Sequence, residues 1–184
     1  MHWRNSSSAY GLLSIVLHWL MAVGVFGMFA LGLWMVELDY YSRWYKQAPD
    51  LHKSIGLCLL ALMLLRFGWR QLSPRPLPLA SHTASIQRVS KAVHLLLYVG
   101  LLALMLSGYL ISTAEGRGIS VFGWFEVPAS LTSIPDQEDL AGEVHFWLAW
   151  AVVVFAGLHA LAALKHHFID RDATLSRMLG RTGR

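Results

Sequence analysis

The sequence predicts an all-α integral membrane protein, a four-helix bundle in a single domain that covers residues 1–184. The first observation behind this prediction is the composition: 55% of the residues are apolar and only 14% are charged, whereas a soluble domain is about 25% charged. The second is a set of four long apolar runs, and the third is an uneven distribution of lysine and arginine between the two ends of those runs. The composition also excludes a disordered chain, which has few apolar residues and many charges.

The apolar runs are long enough to cross a membrane, because a helix needs about 20 apolar residues to span a bilayer core of about 30 Å. The predicted spans are residues 11–36, 52–70, 92–112 and 144–164. The second span is the shortest, and it reaches full length only if Arg66 and Arg70 extend their charged ends toward the interface. The first span does not read as a cleaved signal peptide, because its apolar run is too long and no small-residue cleavage site follows it.

The basic residues predict the orientation of the spans. With four spans, both termini lie on one side, and that side holds 11 of the 15 lysines and arginines. Because basic residues concentrate on the cytoplasmic side, we expect both the N- and the C-terminus in the cytoplasm and membrane lipids around the helices. This topology also accounts for the net charge of +4, so the charge does not indicate binding to nucleic acid.

Two pairs of histidines lie at matching depths in the predicted bundle, where ionisable side chains are costly and usually functional. A helix rises about 1.5 Å per residue, so His18 and His159 each lie about 8–10 Å deep, measured from the membrane surface on which both chain termini lie. His52 and His145 stand at the other membrane surface. Two imidazoles that face each other suit the axial positions of an iron porphyrin, and helix bundles hold cofactors between facing helices. The sequence therefore predicts that these four histidines are the metal ligands of haem iron.

A porphyrin also needs room beside each ligating helix. The residue four positions after each of these histidines is small, and we assign these positions to the cofactor site: Ala22, Gly56, Ala149 and Ala163. Small residues are also common where membrane helices pack without a cofactor, so a purely structural role stays open. A zinc site would need three or four ligands at one level. The single cysteine, Cys58, excludes a Cys-rich cluster and the attachment motif of a c-type haem.

Other polar residues near the membrane surface on which the chain termini lie could have several roles. His94 could hydrogen-bond a haem propionate, help to bind a quinone or anchor its helix at the interface. The end of the fourth span is either an interfacial anchor or the polar wall of a quinone site, and its residues are Lys165, His166 and His167. Candidate hydrogen-bond or propionate partners are Ser14, Ser90, Lys53, Arg66, Arg70 and Arg88.

The segments around the four histidines resemble those of bacterial cytochrome b561, and the resemblance extends from Tyr10 to about Gly180. These segments are Leu17–Trp19, Leu51–Gly56, Val144–Trp147 and Leu158–Ala160. Three more segments resemble one subgroup of that family, the cytochrome found beside a periplasmic isoprenoid-binding, lipocalin-like protein. They are Gly108–Ser112, Ile119–Phe125 and Leu164–Asp170.

The resemblance implies two non-covalent b haems, one held by His18 and His159 and the other by His52 and His145. It also implies electron transport across the bacterial inner membrane between a periplasmic donor and ubiquinone. One branch of the family is an oxidoreductase that takes electrons from periplasmic superoxide. However, the predicted outer loop, residues 113–142, carries five acidic residues and one arginine, and an acidic surface repels an anion.

Two other functions stay open. The chain could be a pure electron-transfer subunit that docks a separate periplasmic redox protein and performs no substrate chemistry of its own. It could also be a haem-free transporter or assembly factor, which would make the pure protein colourless. A periplasmic isoprenoid-binding protein is a further candidate partner.

Overall fold

A computed structural model describes residues 2–132 and 134–181 of the chain. Over these residues the main elements are four long helices: α1 (Leu12–Met35), α2 (Gln47–Leu72), α3 (Ala84–Thr113) and α4 (Gln137–Phe168). Between α3 and α4, strands β1 (Ile119–Val121) and β2 (Phe125–Val127) form an antiparallel hairpin. A short helix, α5 (Thr174–Met178), follows α4.

The surface of the long helices is suited to lipid. Each of α1 to α4 is long and apolar enough to cross a membrane. Each also leaves large apolar side chains exposed, for example Val23, Leu65, Val99 and Leu161. Extensive exposed apolar surface marks contact with a membrane, and helices are the spanning elements that satisfy their own backbone hydrogen bonds. These features confirm the predicted fold class, an all-α membrane protein with four spanning helices.

Three of the long helices begin earlier than the apolar runs indicate. Helix α2 begins at Gln47 rather than at residue 52, α3 at Ala84 rather than at residue 92, and α4 at Gln137 rather than at residue 144. The first turn of α2 contains Asp50, and that of α4 contains Glu138 and Asp139. Carboxylates at these positions stabilise a helix because its N-terminus carries partial positive charge. Polar residues therefore extend α2 and α4 beyond the apolar runs.

The chain divides into two compact units, and each unit holds part of every long helix. Unit 1 comprises Met1–Ala22, Leu62–Tyr98 and Val154–Arg184, and unit 2 comprises Val23–Ala61 and Val99–Val153. The histidines predicted at one level, with His94, belong to unit 1, and those predicted at the other level belong to unit 2.

The hairpin of unit 2 packs against the start of α2. Both inward-facing residues of β1 are buried. The hydroxyl oxygen of Ser54 accepts a hydrogen bond from the backbone N–H of Phe122 at 3.1 Å and donates to the carbonyl oxygen of Asp50 at 2.8 Å. In the hairpin turn, Phe122 and Gly123 have φ values of 50° and 75°, a conformation that is easy for glycine and rare for phenylalanine. The loop that the sequence marks only as acidic therefore contains a folded element.

In unit 1 the two chain ends are tied to the helices. The side chain of Asn5 donates to the carbonyl oxygen of Pro74 at 2.9 Å and accepts from the hydroxyl of Ser14 at 2.7 Å. The indole N–H of Trp19 donates to the carbonyl oxygen of Met178 at 2.8 Å. These bonds fix the segments before α1 and after α4 against the helices of unit 1.

Candidate functional site

In unit 2, the imidazole rings of His52 on α2 and His145 on α4 lie close together. Their centres lie 6.2 Å apart and their planes are inclined at 70°. A metal–imidazole bond is about 2.0–2.1 Å long, and the ring centre lies about 1.1 Å behind the bonding nitrogen in a ring with bonds of about 1.33 Å. Two imidazoles on opposite sides of one metal therefore have centres about 6.3 Å apart. The His52–His145 pair has this spacing.

Helix α3 orients the ring of His145. The Nδ1 atom lies 3.0 Å from the carbonyl oxygen of Leu104 and 3.1 Å from the hydroxyl oxygen of Ser107. Because the Ser107 hydroxyl itself donates to Leu104 at 2.8 Å, both oxygens are acceptors for a proton on Nδ1. An imidazole that carries its proton on Nδ1 has Nε2 free to bind a metal. The hydrophobic periodicity of the sequence did not mark Ser107 as a partner of a ligand histidine.

Two glycines on neighbouring helices make room for the rings of this pair. A Cβ atom on Gly32 of α1 would lie 3.3 Å from Cε1 of His52. A Cβ atom on Gly108 of α3 would lie 3.0 Å from Cε1 of His145. The small residues predicted for the cofactor site lie on the same helix as each histidine, whereas these two glycines belong to neighbouring helices, so the sequence did not predict their role.

A cavity of about 580 Å³ in unit 2 is lined by His52, His145, Gly56 and Ala149. This volume falls in the range of about 300–1,000 Å³ that is usual for cofactor and small-molecule sites. Two of the four small residues that the sequence assigns to the cofactor thus line the same cavity as two of the histidines. The Nδ1 atom of His52 is buried there, and no hydrogen-bond partner for it occurs among the described residues.

The charged residues that line this cavity balance each other. They are Lys53, Arg117, Glu115 and Glu138, two of each sign. Both cations also have carboxylate neighbours: the Lys53 ammonium lies 2.8 Å from Asp50, and the Arg117 guanidinium lies 3.7 Å from Glu115. The cavity walls therefore present no excess of positive charge.

In unit 1, the imidazole rings of His18 on α1 and His159 on α4 form a second close pair. Their ring centres lie 6.3 Å apart and their planes are inclined at 81°. A third imidazole, that of His94 on α3, lies 5.1 Å from His159, which is too close for two rings on opposite sides of one metal. The Nδ1 atom of His94 donates to the carbonyl oxygen of Ser90 at 2.7 Å, so the main chain of Ser90 orients this ring.

Arg66 of α2 contacts the His18 ring, with 3.0 Å between a guanidinium nitrogen and Nδ1. A guanidinium only donates, so in this arrangement Nδ1 accepts and the ring proton lies on Nε2. A metal bond through Nε2 requires that proton to leave. Arg66 and Arg70 also lie over the ring of Tyr98, at 5.5 and 5.6 Å from its centre. The hydroxyl of Ser14 is engaged elsewhere, because it donates to Asn5 and accepts from Trp69 rather than bonding to His18.

Comparison with known proteins identifies the family. The model of the prokaryotic cytochrome b561 family matches residues 9–181. The chain belongs to this family. Over 182 residues it is 54% identical to cytochrome b561 homolog 2 of Escherichia coli (strain K12), with 99% of this chain and 97% of that protein covered.

Two more distant relatives match over nearly the whole chain. The probable superoxide oxidase CybB of Yersinia pestis is 29% identical over 171 residues, with 92% of this chain and 95% of that protein covered. Cytochrome b561 homolog 1 of Escherichia coli (strain K12) is 28% identical over 171 residues, with 91% and 94% covered. The predicted family is confirmed. Family and fold together describe a multi-pass inner-membrane cytochrome that binds b haem and takes part in electron transport.

The alternative candidates for a quinone contact in this cytochrome have different neighbours. Lys165 and His166 both contact the carboxylate of Asp170, each at 2.8 Å. The hydrogen bond from Lys165 is the main reason that the pKa of Asp170 lies below its usual value. His167 packs on Phe168 with ring centres 4.8 Å apart. Among the described residues, no hydrogen bond or ring contact joins His94 to any of these three.

Proposed function

We propose that this cytochrome binds two b haems and transfers electrons across the inner membrane between a periplasmic donor and the ubiquinone pool. The observation that carries the proposal is the presence of two imidazole pairs with ring centres 6.2 and 6.3 Å apart, the spacing expected of two imidazoles on opposite sides of one metal. When bound, haem supplies a one-electron redox centre, and the protein supplies its ligands and surroundings.

Within this proposal, His52 and His145 are the axial ligands of one iron, and His18 and His159 are those of the other. Spacing favours His18 over His94 as the partner of His159, because 6.3 Å suits opposed ligation and 5.1 Å does not. The Nδ1 contacts of His145 with α3 support ligation through Nε2, since they hold the ring proton on the other nitrogen.

Small and basic residues complete each proposed site. Gly56 and Ala149 leave space in the cavity beside His52 and His145, and Ala22 and Ala163 occupy the equivalent positions after the other two ligands. Arg66 reaches His18 through a flexible side chain. When haem is bound, a propionate would offer the Arg66 guanidinium a carboxylate partner, and Nδ1 of His18 would then carry the ring proton that ligation through Nε2 requires.

The orientation of the chain in the membrane and a contact with quinone complete the proposal. With both termini in the cytoplasm, as the distribution of basic residues favours, the His18–His159 pair lies toward the cytoplasm. His94 is the candidate for a quinone contact, because its ring packs against His159 and its Nδ1 is bonded to Ser90. Lys165 and His166 are weaker candidates because acidic neighbours occupy them, while His167 stays a candidate.

Superoxide is one candidate for the periplasmic electron donor. Its support is the 29% identity to a protein named a probable superoxide oxidase. The balanced charges of the cavity that holds His52 and His145 argue against electrostatic attraction of a small anion. The alternative is a pure electron-transfer cytochrome that receives electrons from a docked periplasmic redox protein. The isoprenoid-binding protein of the related subgroup is a candidate partner on resemblance alone.

The haem content of the purified full-length protein tests the ligand assignment. The pyridine haemochrome assay should give two haems per chain for the unmodified protein. It should give about one for each of His18→Ala, His159→Ala, His52→Ala and His145→Ala. The matched control is His94→Ala, which removes an imidazole next to His159 and should keep two haems. Full haem content in His18→Ala and His145→Ala would contradict the assignment, and a colourless protein would contradict the proposed function.

Rapid mixing with superoxide distinguishes the two candidate electron donors, superoxide and a docked periplasmic redox protein. If superoxide is a donor, absorption of the haem α-band should rise within the mixing experiment, and added superoxide dismutase should abolish the rise. The rate should not fall as ionic strength rises, because the cavity offers no attractive field to screen. An absence of any dismutase-sensitive reduction, with reduction by a periplasmic extract intact, would leave the pure electron-transfer role.

A further inference from the structure

One group of side chains in unit 1, separate from the two imidazole pairs, brings metal-ligand atoms together. His82 precedes α3, His166 lies in the last turn of α4, and Asp172 follows α4. One ligand atom from each of these three residues lies within 4.8 Å of the ligand atoms of the other two. Within residues 2–132 and 134–181, this is the one group of three or more His, Cys, Asp or Glu side chains that meets this distance.

The distances in this group fit tetrahedral coordination. Oδ2 of Asp172 lies 2.9 Å from Nε2 of His82 and 3.4 Å from Nδ1 of His166. Ligands at about 2.0–2.1 Å from a tetrahedral metal are about 3.3 Å apart. The two imidazole centres lie 5.0 Å apart, close to the separation of about 5.1 Å expected for two rings on one tetrahedral metal. The group therefore differs from the two haem-ligand pairs, whose wider spacing suits opposed rings.

The ligand atoms are oriented by the surrounding chain. The other carboxylate oxygen of Asp172 accepts a hydrogen bond from the backbone N–H of Thr174 at 2.8 Å, which directs Oδ2 toward the imidazoles. The Asp172 side chain is only 7% exposed, and those of His82 and His166 are 16% and 17% exposed. Such a site loses little conformational freedom when an ion binds.

The Nδ1 atom of His166 lies between two carboxylates, those of Asp170 and Asp172. It is buried and makes no well-aligned hydrogen bond among the described residues, although a carboxylate oxygen of Asp170 lies 2.8 Å away. Lys165 donates to both oxygens of that carboxylate, at 3.0 and 2.8 Å, so the charge of Asp170 is already compensated. The charge of Asp172 is thus left to face the two imidazoles.

We propose that His82, His166 and Asp172 form a binding site for a late first-row divalent metal ion, of which Zn²⁺ is the representative. Two neutral imidazoles and one carboxylate favour such an ion over Mg²⁺ or Ca²⁺, which prefer oxygen ligands. Water occupies the fourth coordination position. Because His82 precedes α3 and Asp172 follows α4, the ion joins two segments that are distant in the sequence.

Zinc binding to the full-length, haem-loaded protein tests this site. Protein freed of metal by a chelator is equilibrated with ZnCl₂ at low micromolar concentration, desalted and subjected to elemental analysis for zinc and iron. The unmodified protein should hold one zinc per chain. His82→Ala, His166→Ala and Asp172→Asn should each lower the affinity by at least about tenfold. The matched control is His167→Ala, which removes the adjacent imidazole and should leave zinc binding unchanged.

Two further measurements keep the outcome independent of folding and of haem. An unchanged haem spectrum shows that a variant has folded, and zinc K-edge absorption of the unmodified protein should give nitrogen and oxygen neighbours at about 2.0 Å. The absence of zinc from the unmodified protein would overturn the proposal and leave the group as a hydrogen-bonded anchor. Zinc that persists in both His166→Ala and Asp172→Asn would overturn it as well, because the ion would then lie elsewhere.

Discussion

The Nδ1 atom of His145 lies 3.0 Å from the carbonyl oxygen of Leu104, across the contact between α4 and α3. Helix α3 supplies no proposed haem ligand, yet it sets the orientation of one. A proton shared with a neutral carbonyl oxygen makes the opposite nitrogen a stronger donor to a metal. Under the proposed ligation of haem iron by His145, the third helix therefore acts on the redox chemistry of the haem through the main chain and one serine.

Replacing Ser107 tests this influence. In Ser107→Ala, the Nδ1 proton of His145 keeps Leu104 as an acceptor and loses the hydroxyl, which lies 3.1 Å away. The ligand becomes slightly less basic, so the oxidised iron is less stabilised and the midpoint potential of that haem should rise by a few tens of millivolts. Spectroelectrochemical titration measures the change, and Ser107→Thr, which retains a hydroxyl, is the control. An equal shift of both haems would argue against a local effect.

Two glycines of α3 allow a test of whether the ring of His145 needs the space that a glycine leaves beside it. In Gly108→Ala, the new Cβ would lie 3.0 Å from Cε1 of His145 and displace the ring. In Gly100→Ala, on the same helix, it would lie 3.1 Å from a methyl group of Val152. Gly108→Ala should lose the haem of the His52–His145 pair and keep the other. Gly100→Ala should keep both haems and lose about 1–3 kcal/mol of stability through overpacking. Equal haem content in the two variants would contradict a role for Gly108 in ligand placement.

The sequence was sufficient for the fold class because membrane spans depend on long uncharged runs. It did not predict where α2, α3 and α4 begin, since each of these helices begins several residues before its apolar run and hydropathy marks only the run. The hairpin was also missed. Its turn places Phe122 at a φ of 50°, and such a conformation is unusual for a phenylalanine, so residue identity gave little warning of it.

For the candidate site, the position of a residue in the sequence predicts its depth in the membrane but not the direction in which its side chain points. The structure brings together the same two histidine pairs that matching depth predicts, while their ligation to iron stays a prediction. The contributions of Gly32, Gly108 and Ser107 depend on how a neighbouring helix is rotated about its axis, which a single sequence does not encode locally. The group formed by His82, His166 and Asp172 was missed for a related reason, because it joins a loop to the end of a distant helix.

Arg66 should tune the haem of the His18–His159 pair by its charge. A guanidinium near an iron disfavours the oxidised state, which carries one more positive charge. A unit charge about 8 Å away in a medium of effective dielectric constant about 20 contributes roughly 2 kcal/mol, or roughly 90 mV. Arg66→Met should therefore lower the midpoint potential of this haem by up to roughly that amount. A potentiometric titration of the purified protein measures it.

The control for this test is Arg70→Met. Both arginines lie over the ring of Tyr98 at nearly the same distance, 5.5 and 5.6 Å, and of the two it is Arg66 that contacts His18. Arg70→Met should therefore produce the smaller shift. A larger shift for Arg70→Met than for Arg66→Met would mean that the contact with His18 does not decide which charge acts on the iron.

Ser54 should control access of water-soluble reductants to the cavity of unit 2. Its buried hydroxyl accepts from the backbone N–H of Phe122 and donates to Asp50, so it fastens the hairpin to the start of α2, two residues after His52. Ser54→Ala leaves that N–H without its partner, at a cost of about 1–3 kcal/mol, and should loosen the hairpin. Dithionite should then reduce the haem of the His52–His145 pair faster, with haem content unchanged. Ser120→Ala, which alters an exposed side chain on the same hairpin, should leave the rate unchanged. If the two variants react at the same rate as the unmodified protein, the hairpin does not limit access to this cavity.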